Sequence, residues 1–356
     1  MILKSGVYEA SVAQLAKSIE IKNCSVLVTG ATGLIGSCIL DALVYANRAF
    51  NQNNKIYALG RSAEKFKSKF GGETAEAVSF LEQDVTTPID RGLKLDYILH
   101  LASNADPQSY ALYPAETIIT NVYGAKNILD YCKENKGCKA LLASTFEVYG
   151  KHESDEYAEA DFGRLDHNSI RSGYPESKRV AELLAKSYQS EYGVNCVIAR
   201  LASIYGPTML KNDSKAHAQF IRSGVNGEDI VLKSEGKQRR TYCYVMDAAS
   251  GIFTVLLKGA AGEAYNVANP DSVVTISEFA HIVAKVCGTK VTEQAPRVQE
   301  QSGYSKPQSC ILSAQRLEEL GWRGSYSIYD GIKQTVDSLM QMHDERRRGM
   351  QETRKA

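Results

Sequence analysis

Residues 25–36 read Ser25-Val26-Leu27-Val28-Thr29-Gly30-Ala31-Thr32-Gly33-Leu34-Ile35-Gly36. A β-branched run leads into three glycines, and an apolar pattern at three-to-four spacing begins behind them and continues to Tyr45. A strand that turns into a helix through glycine meets a specific need. It gives a tight turn, a backbone without Cβ that a pyrophosphate can approach, and a helix N-terminus whose free N–H groups favour an anion. Gly30, Thr32, Gly33, Leu34, Ile35 and Gly36 are therefore candidate dinucleotide-binding residues.

The same alternation continues outward. Short strand-like runs at 25–29, 55–59, 78–81, 97–101, 140–143 and 195–199 alternate with helical patterns at 34–45, 116–133 and 177–192. Repeated strand–helix–strand units build parallel sheets, so the fold class is α/β, a Rossmann-type doubly wound parallel sheet. The alternation breaks after Gly206-Pro207, where helical patterns at 216–225 and 277–286 suggest a smaller mixed α/β substrate domain. The expected division is 1–200 for the dinucleotide-binding domain with 241–267 returning to it, 201–240 and 268–345 for the substrate domain, and 346–356 as a basic tail. Residues 12–19 read as an amphipathic helix across the domain edge or at an oligomer contact. The acidic stretch 153–161 reads as a solvated substrate-side flap.

Composition excludes several classes. With 44% hydrophobic and 23% charged residues in 356, the chain has ordinary globular usage. A net charge of +1 lacks the basic excess of a nucleic-acid binder, and the tail residues Arg346, Arg347, Arg348, Arg354 and Lys355 read as a solvated helix end. Eight cysteines without C-x-x-C spacing fit free thiols in a reducing compartment. Six histidines form no pair at metal spacing, so no metal is expected. The start lacks the build of a signal peptide and no apolar run reaches membrane-spanning length. The expectation is a cytoplasmic protein with neither nucleic-acid nor membrane partner.

Where an acid normally holds the adenosine ribose, the sequence reads Gly60-Arg61-Ser62. Arg61 and Ser62 suit a 2′-phosphate and so lean towards NADP+, although Arg61 could equally stack on adenine. Asp84, followed by Val85, stands past the third strand, where it could accept from the adenine amino group or cap the strand end. Tyr174 and Lys178 lie four apart at the start of a strong helical pattern, hence on one side of it. A nearby ammonium and a cationic nicotinamide both favour the phenolate, which gives Tyr174 the makings of a base for an alcohol proton.

The fifth strand runs into Ser144-Thr145-Phe146-Glu147-Val148-Tyr149-Gly150. Together these motifs resemble the extended short-chain dehydrogenase/reductase superfamily, in its nucleotide-sugar epimerase/dehydratase branch, over roughly residues 24–336. Supporting stretches are His100-Leu101-Ala102-Ser103, Arg200 to Pro207 and Arg240 to Asp247. The resemblance implies that Leu101, Ala102 and Ser103 line the cofactor, and that Thr145 joins Tyr174 and Lys178 at a sugar 4-hydroxyl. It gives Glu147 the role of base or water-organiser and Arg240 a diphosphate or sugar contact. Ser103, Phe146 and Ser203 complete the implied substrate set.

The departures are specific. Phe146 stands where dTDP-glucose-type dehydratases carry an acid and related decarboxylases a serine, and Ser203 replaces a usual asparagine. The arginine often found near Lys306-Pro307 is not evident. The segments Gly206-Pro207-Thr208-Met209 and Gly236-Lys237-Gln238-Arg239-Arg240 are most similar to UDP-glucuronate decarboxylases. The resemblance implies NAD+ where Arg61-Ser62 leans to NADP+, a nucleotide-sugar substrate and a homodimer. The implied activity is oxidation at C4 to a 4-keto sugar, followed by decarboxylation or 4,6-dehydration. A 4-epimerase, an NADPH-dependent ketone reductase and a non-catalytic dinucleotide sensor are the alternatives.

Overall fold

The computed structural model describes residues 5–294 and 309–353, with side chains described as far as residue 342. The basic tail and Lys306-Pro307 lie outside the described side chains. Strands β1 (Ser25–Thr29), β2 (Lys55–Gly60), β3 (Val78–Glu82), β4 (Tyr97–His100) and β5 (Lys139–Thr145) join Cys196–Leu201 and Ala264–Val267 in one seven-stranded sheet. Every neighbouring pair is parallel. The spatial order is Ala264–Val267, Cys196–Leu201, β5, β4, β1, β2, β3. The winding reverses between β1 and β4, and a crevice opens beyond the carboxyl ends of the strands there.

The chain winds through helices α1 (Gly6–Lys17), α2 (Leu34–Phe50), α3 (Ala63–Phe70), α4 (Gly72–Ala77), α5 (Pro107–Leu112), α6 (Pro114–Glu134) and α7 (Gly173–Tyr192). Its second half adds α8 (Ala216–Val225), α9 (Val245–Lys258) and α10 (Ile276–Cys287). Successive strand residues face opposite sides. Val26, Val28, Leu99 and Leu141 belong to the core that includes α2 and α9, whereas Leu27, Ile98, Ala140 and Leu142 belong to the core with α6 and α7. Burial on both faces explains why these strands are continuous apolar runs rather than alternating ones.

After Cys196–Leu201 the chain leaves the main sheet. Strands Ser203–Tyr205, Arg239–Tyr244 and Val273–Thr275 form a separate three-stranded sheet, while Ala264–Val267 returns to pair with Cys196–Leu201. All eight cysteines are free. Among the described residues no helix is long and apolar enough to cross a membrane.

Two expectations need correction. The N-terminal helix runs over Gly6–Lys17 rather than 12–19, with Tyr8 and Val12 on its inner face fully buried. Its anchor is polar: the Tyr8 hydroxyl donates to Asp41 Oδ2 at 2.9 Å, and Thr74 Oγ1 donates to Asp41 Oδ1 at 2.9 Å. A buried carboxylate on α2 thus draws α1 and α4 together, a long-range demand that periodicity does not reveal. The acidic stretch, solvated at Glu153, Asp155 and Glu156, is tied down rather than a flap. Glu156–Tyr157 pairs with Ile311–Leu312, Tyr157 is buried, and Glu159 Oε1 accepts from the Asn266 N–H at 2.7 Å.

Removing the hydroxyl in Tyr8→Phe leaves a buried carboxylate short of a donor, which costs about 1–3 kcal/mol. A urea melt should show that loss; an unchanged midpoint would mean the Asp41 anchor carries no stability.

Candidate active site

The glycine turn closes on itself so tightly that side chains are excluded. Gly30 has φ +66°, and a Cβ there would stand 2.7 Å from the Ala102 nitrogen; a Cβ on Gly36 would stand 2.4 Å from the Gly30 oxygen. Helix α2 then begins with Gly33 as its cap, with no side chain on its first N–H groups and no acid in its first turn. Such an uncapped N-terminus favours an anion, so the residues present fit a dinucleotide pyrophosphate.

The floor of the crevice is set by one hydroxyl. Thr29 Oγ1 accepts from the N–H groups of Leu101 and Ala102, each at 3.2 Å, and lies 2.9 Å from His100 Nδ1. Two accepted bonds use both lone pairs, so the Thr29 proton goes to His100. The imidazole accepts it in its neutral form, pushed down to about 3 by burial and by the charge of Lys178. Ser103 Oγ donates to Asn121 Oδ1 at 2.7 Å, Asn121 Nδ2 to Ser177 Oγ at 2.9 Å, and Ser177 Oγ to the Tyr174 carbonyl at 2.7 Å. This chain ties the cofactor loop to the start of α7.

At the adenosine end the expected residues are more dispersed. Arg61 is largely exposed and pairs with Glu116 on α6 at 3.2 Å. Ser62 caps α3 by accepting from the Lys65 N–H at 3.2 Å. Asp84 accepts from the Thr86 N–H at 2.8 Å and its hydroxyl at 2.7 Å. Partial burial raises its pKa, but these bonds and Arg61 outweigh that and hold it below the ordinary value. Val85 is buried, with its carbonyl taken by Asn127 at 2.9 Å. The residue missed here is Lys69, whose ammonium donates to the Thr32 carbonyl and is depressed to about 8 by burial.

The chemistry-bearing groups converge where β5 ends and α7 begins. Thr145 hydrogen-bonds Tyr174, and its hydroxyl accepts from the Glu147 N–H at 3.3 Å. Burial and then the Glu147 charge push the Tyr174 phenol above its ordinary value, while Thr145 and Arg171 pull it back. Lys178 is buried, donates to the Ala143 carbonyl at 2.9 Å and is lowered to about 8, chiefly by desolvation. Glu147 pairs with Arg171 at 3.1 Å. Arg171 also donates to the Tyr110 hydroxyl at 3.1 Å, and that hydroxyl points at Glu147 Oε1 across 3.5 Å. The Tyr110 ring stacks on Tyr174 at 4.9 Å between centroids.

Tyr110 and Arg171 were not legible in the sequence. Arg171 stands three residues before Tyr174, which is the one available signal; Tyr110 lies in a short helix with no diagnostic pattern. Arg240 reaches the site from the substrate half, its guanidinium 5.7 Å from the Phe146 ring. Ser203 pairs with Tyr242 in the neighbouring strand.

A doubly wound sheet with a glycine cradle at its switch point and a Thr–Tyr–Lys group at the next strand end defines an enzyme of the extended short-chain dehydrogenase/reductase type. Residues 26–268 match the NAD dependent epimerase/dehydratase family, and the chain belongs to it. It is 33% identical over 319 residues to UDP-glucuronic acid decarboxylase 6 of Arabidopsis thaliana, covering 87% of each chain. A UDP-glucose 4-epimerase from Thermotoga maritima, solved with UDP-glucose, superposes with TM-score 0.75 and 22% identity, over 90% of this chain and 99% of that one. A dTDP-glucose 4,6-dehydratase from Bacillus anthracis, solved with NAD, gives TM-score 0.70 and 21% identity, over 90% and 97% of the two chains.

Proposed function

We propose that this enzyme oxidises a nucleotide-activated hexuronate at C4 and uses the resulting ketone to release the C5 carboxylate as CO₂, as a UDP-glucuronate decarboxylase does. The observation that carries the reading is the Glu147–Arg171 pair set beside Thr145 and Tyr174, with Phe146 between Thr145 and Glu147. Identity to curated UDP-glucuronic acid decarboxylases supports it.

A bound nicotinamide dinucleotide supplies the hydride acceptor and donor, held by the Gly30–Gly36 cradle, Leu101 to Ser103 and Lys178. Thr145 hydrogen-bonds the sugar 4-hydroxyl and Tyr174 takes its proton. The product of that oxidation is a β-keto acid. Its C5–C6 bond breaks with the electron pair moving onto the C4 oxygen, where Thr145 and Tyr174 stabilise the charge, and a proton returns to C5. Glu147 orders the water or group that delivers that proton. Pairing with Arg171 cancels its charge, so the pocket does not repel a substrate carboxylate.

The chemistry of the adenosine end supports NADP+ over NAD+. There is no acid at Gly60-Arg61-Ser62, Glu82 is engaged with the Ala63 N–H at 3.1 Å, and Lys69 adds a second cation beside Thr32. A homodimer is supported by the outer face of α6 and α7, where Ile119, Tyr123 and Leu183 are exposed by 51%, 54% and 63%. A contiguous apolar face of this kind marks an interaction surface.

Incubation with UDP-, dTDP-, GDP- and CDP-sugars, read by mass spectrometry, should give loss of CO₂ from a hexuronate. Tyr174→Phe and Lys178→Met should each slow turnover about 100-fold or more. Glu147→Gln should retain C4 oxidation and slow the C5 step, the protonation that follows CO₂ loss; a pentose product formed at the native rate would take that role from Glu147. For the cofactor, calorimetry should find NADP+ bound about 10-fold more tightly than NAD+, with the difference erased in Arg61→Ala and Lys69→Gln. Tighter NAD+ binding that ignores both changes would reverse that choice. In sedimentation the native chain should run as a dimer and Ile119→Asp/Leu183→Asp as a monomer; a native monomer rules the interface out.

A further inference from the structure

Among the described residues of the substrate half, His217 Nε2, Arg222 Nη1, Gln238 Oε1 and Thr289 Oγ1 are buried without a partner, and of these four residues only His217 is itself buried. His217 is the second residue of α8, its side chain is only 7% exposed, and its Nε2 makes no hydrogen bond. The ring does bond the Ile204 carbonyl. A carbonyl only accepts, so the nitrogen facing it, Nδ1, carries the hydrogen. Packed edge-on to Tyr242 at 5.8 Å and against Phe279 at 6.0 Å, the ring is desolvated, which pushes it down to about 4 and keeps it neutral. Nε2 is then a bare lone pair, an acceptor waiting for a donor, and leaving such a group unpaired is unfavourable.

Its surroundings connect it to the chemistry. Tyr242 pairs with Ser203 across two strands, and Arg240, two residues before Tyr242, lies on the same strand face. The Arg240 guanidinium stands over Phe146, the neighbour of Thr145 and Glu147. Asp213, Lys215 and Arg240 all act electrostatically on His217. A row thus leads from the reacting groups through Phe146, Arg240 and Tyr242 to His217. With the sugar C4 at Thr145 and Tyr174 and the diphosphate at Arg240, the next occupant of that row is the nucleoside.

We propose that His217 Nε2 is a specificity-determining acceptor that takes a hydrogen bond from an N–H or O–H group on the nucleoside half of the substrate. The inference rests on the nucleotide-sugar reading above. It assigns recognition to a residue outside the reacting group, and it favours nucleosides that present a donor at that point.

Calorimetric titration of the cofactor-loaded full chain with UDP tests it. His217→Leu should weaken UDP binding about 10-fold, the size of one neutral hydrogen bond, and leave dinucleotide affinity unchanged. His217→Gln, which restores an acceptor, should recover part of the loss. In the native chain, 2′,3′-dideoxy-UDP and N3-methyl-UDP separate the ribose hydroxyls from the base N–H, and one of them should bind about 10-fold more weakly than UDP. UDP affinity unchanged in a folded His217→Leu, or both analogues binding like UDP, overturns the assignment and leaves the decarboxylase reading standing. A native chain that binds none of UDP, dTDP, GDP and CDP overturns both. Should His217→Leu not fold, His217→Gln and the two analogues decide the question.

Discussion

Three hydrogen bonds to the Thr29 hydroxyl hold the cofactor crevice open in one shape. By accepting from Leu101 and Ala102 and donating to His100, Thr29 fixes the end of β1 to the end of β4, the two strands between which the winding reverses. Gly30 has its positive φ at the next residue, and its missing Cβ is what lets the Leu101–Ala102 backbone lie against the turn. The pyrophosphate cradle is therefore not a property of the glycines alone. It needs β4 locked alongside, and the lock requires a neutral imidazole, the form that burial of His100 and the Lys178 charge favour.

From that lock the order propagates to the reacting groups. Ser103, Asn121 and Ser177 relay hydrogen bonds into the first turn of α7, so the helix bearing Tyr174 and Lys178 is registered against the cofactor loop and not merely packed near it. Burial then sets the charges. Desolvation weakens the Lys178 ammonium and disfavours the Tyr174 phenolate. A cationic nicotinamide beside Tyr174 would favour the phenolate.

The parts legible in the sequence are those whose physics is local. The turn at 30–36 needs glycine for reasons confined to a few residues, and the Tyr174–Lys178 spacing follows from helix geometry. Strand and helix positions followed from continuous apolar runs, because both sheet faces are covered. What escaped the reading depends on partners far away in sequence. Lys69 matters because it meets Thr32, Arg171 because it meets Glu147 and Tyr110, and α1 because Tyr8 reaches Asp41. The acidic stretch at 153–161 meets solvent at Glu153, Asp155 and Glu156 as its charges suggested, yet its backbone also pairs with a strand some 155 residues later, which those charges did not reveal.

Phe146 shows how one residue constrains both halves. Read alone, it is only the absence of an acid. In the fold its ring lies under Arg240, a contact of the kind that contributes about 0.5–1 kcal/mol and orients the guanidinium. Elimination of water requires a proton delivered to the leaving oxygen, which a phenyl ring cannot supply. Loss of CO₂ requires none at the leaving group, because the bonding electrons pass to the C4 carbonyl and the departing fragment is already neutral. The demand falls instead on whatever meets the C4 oxygen, and Thr145 and Tyr174 stand together there. An apolar ring between Thr145 and Glu147 therefore removes what dehydration needs while leaving intact what decarboxylation needs, and it steadies the cation that faces the rest of the substrate.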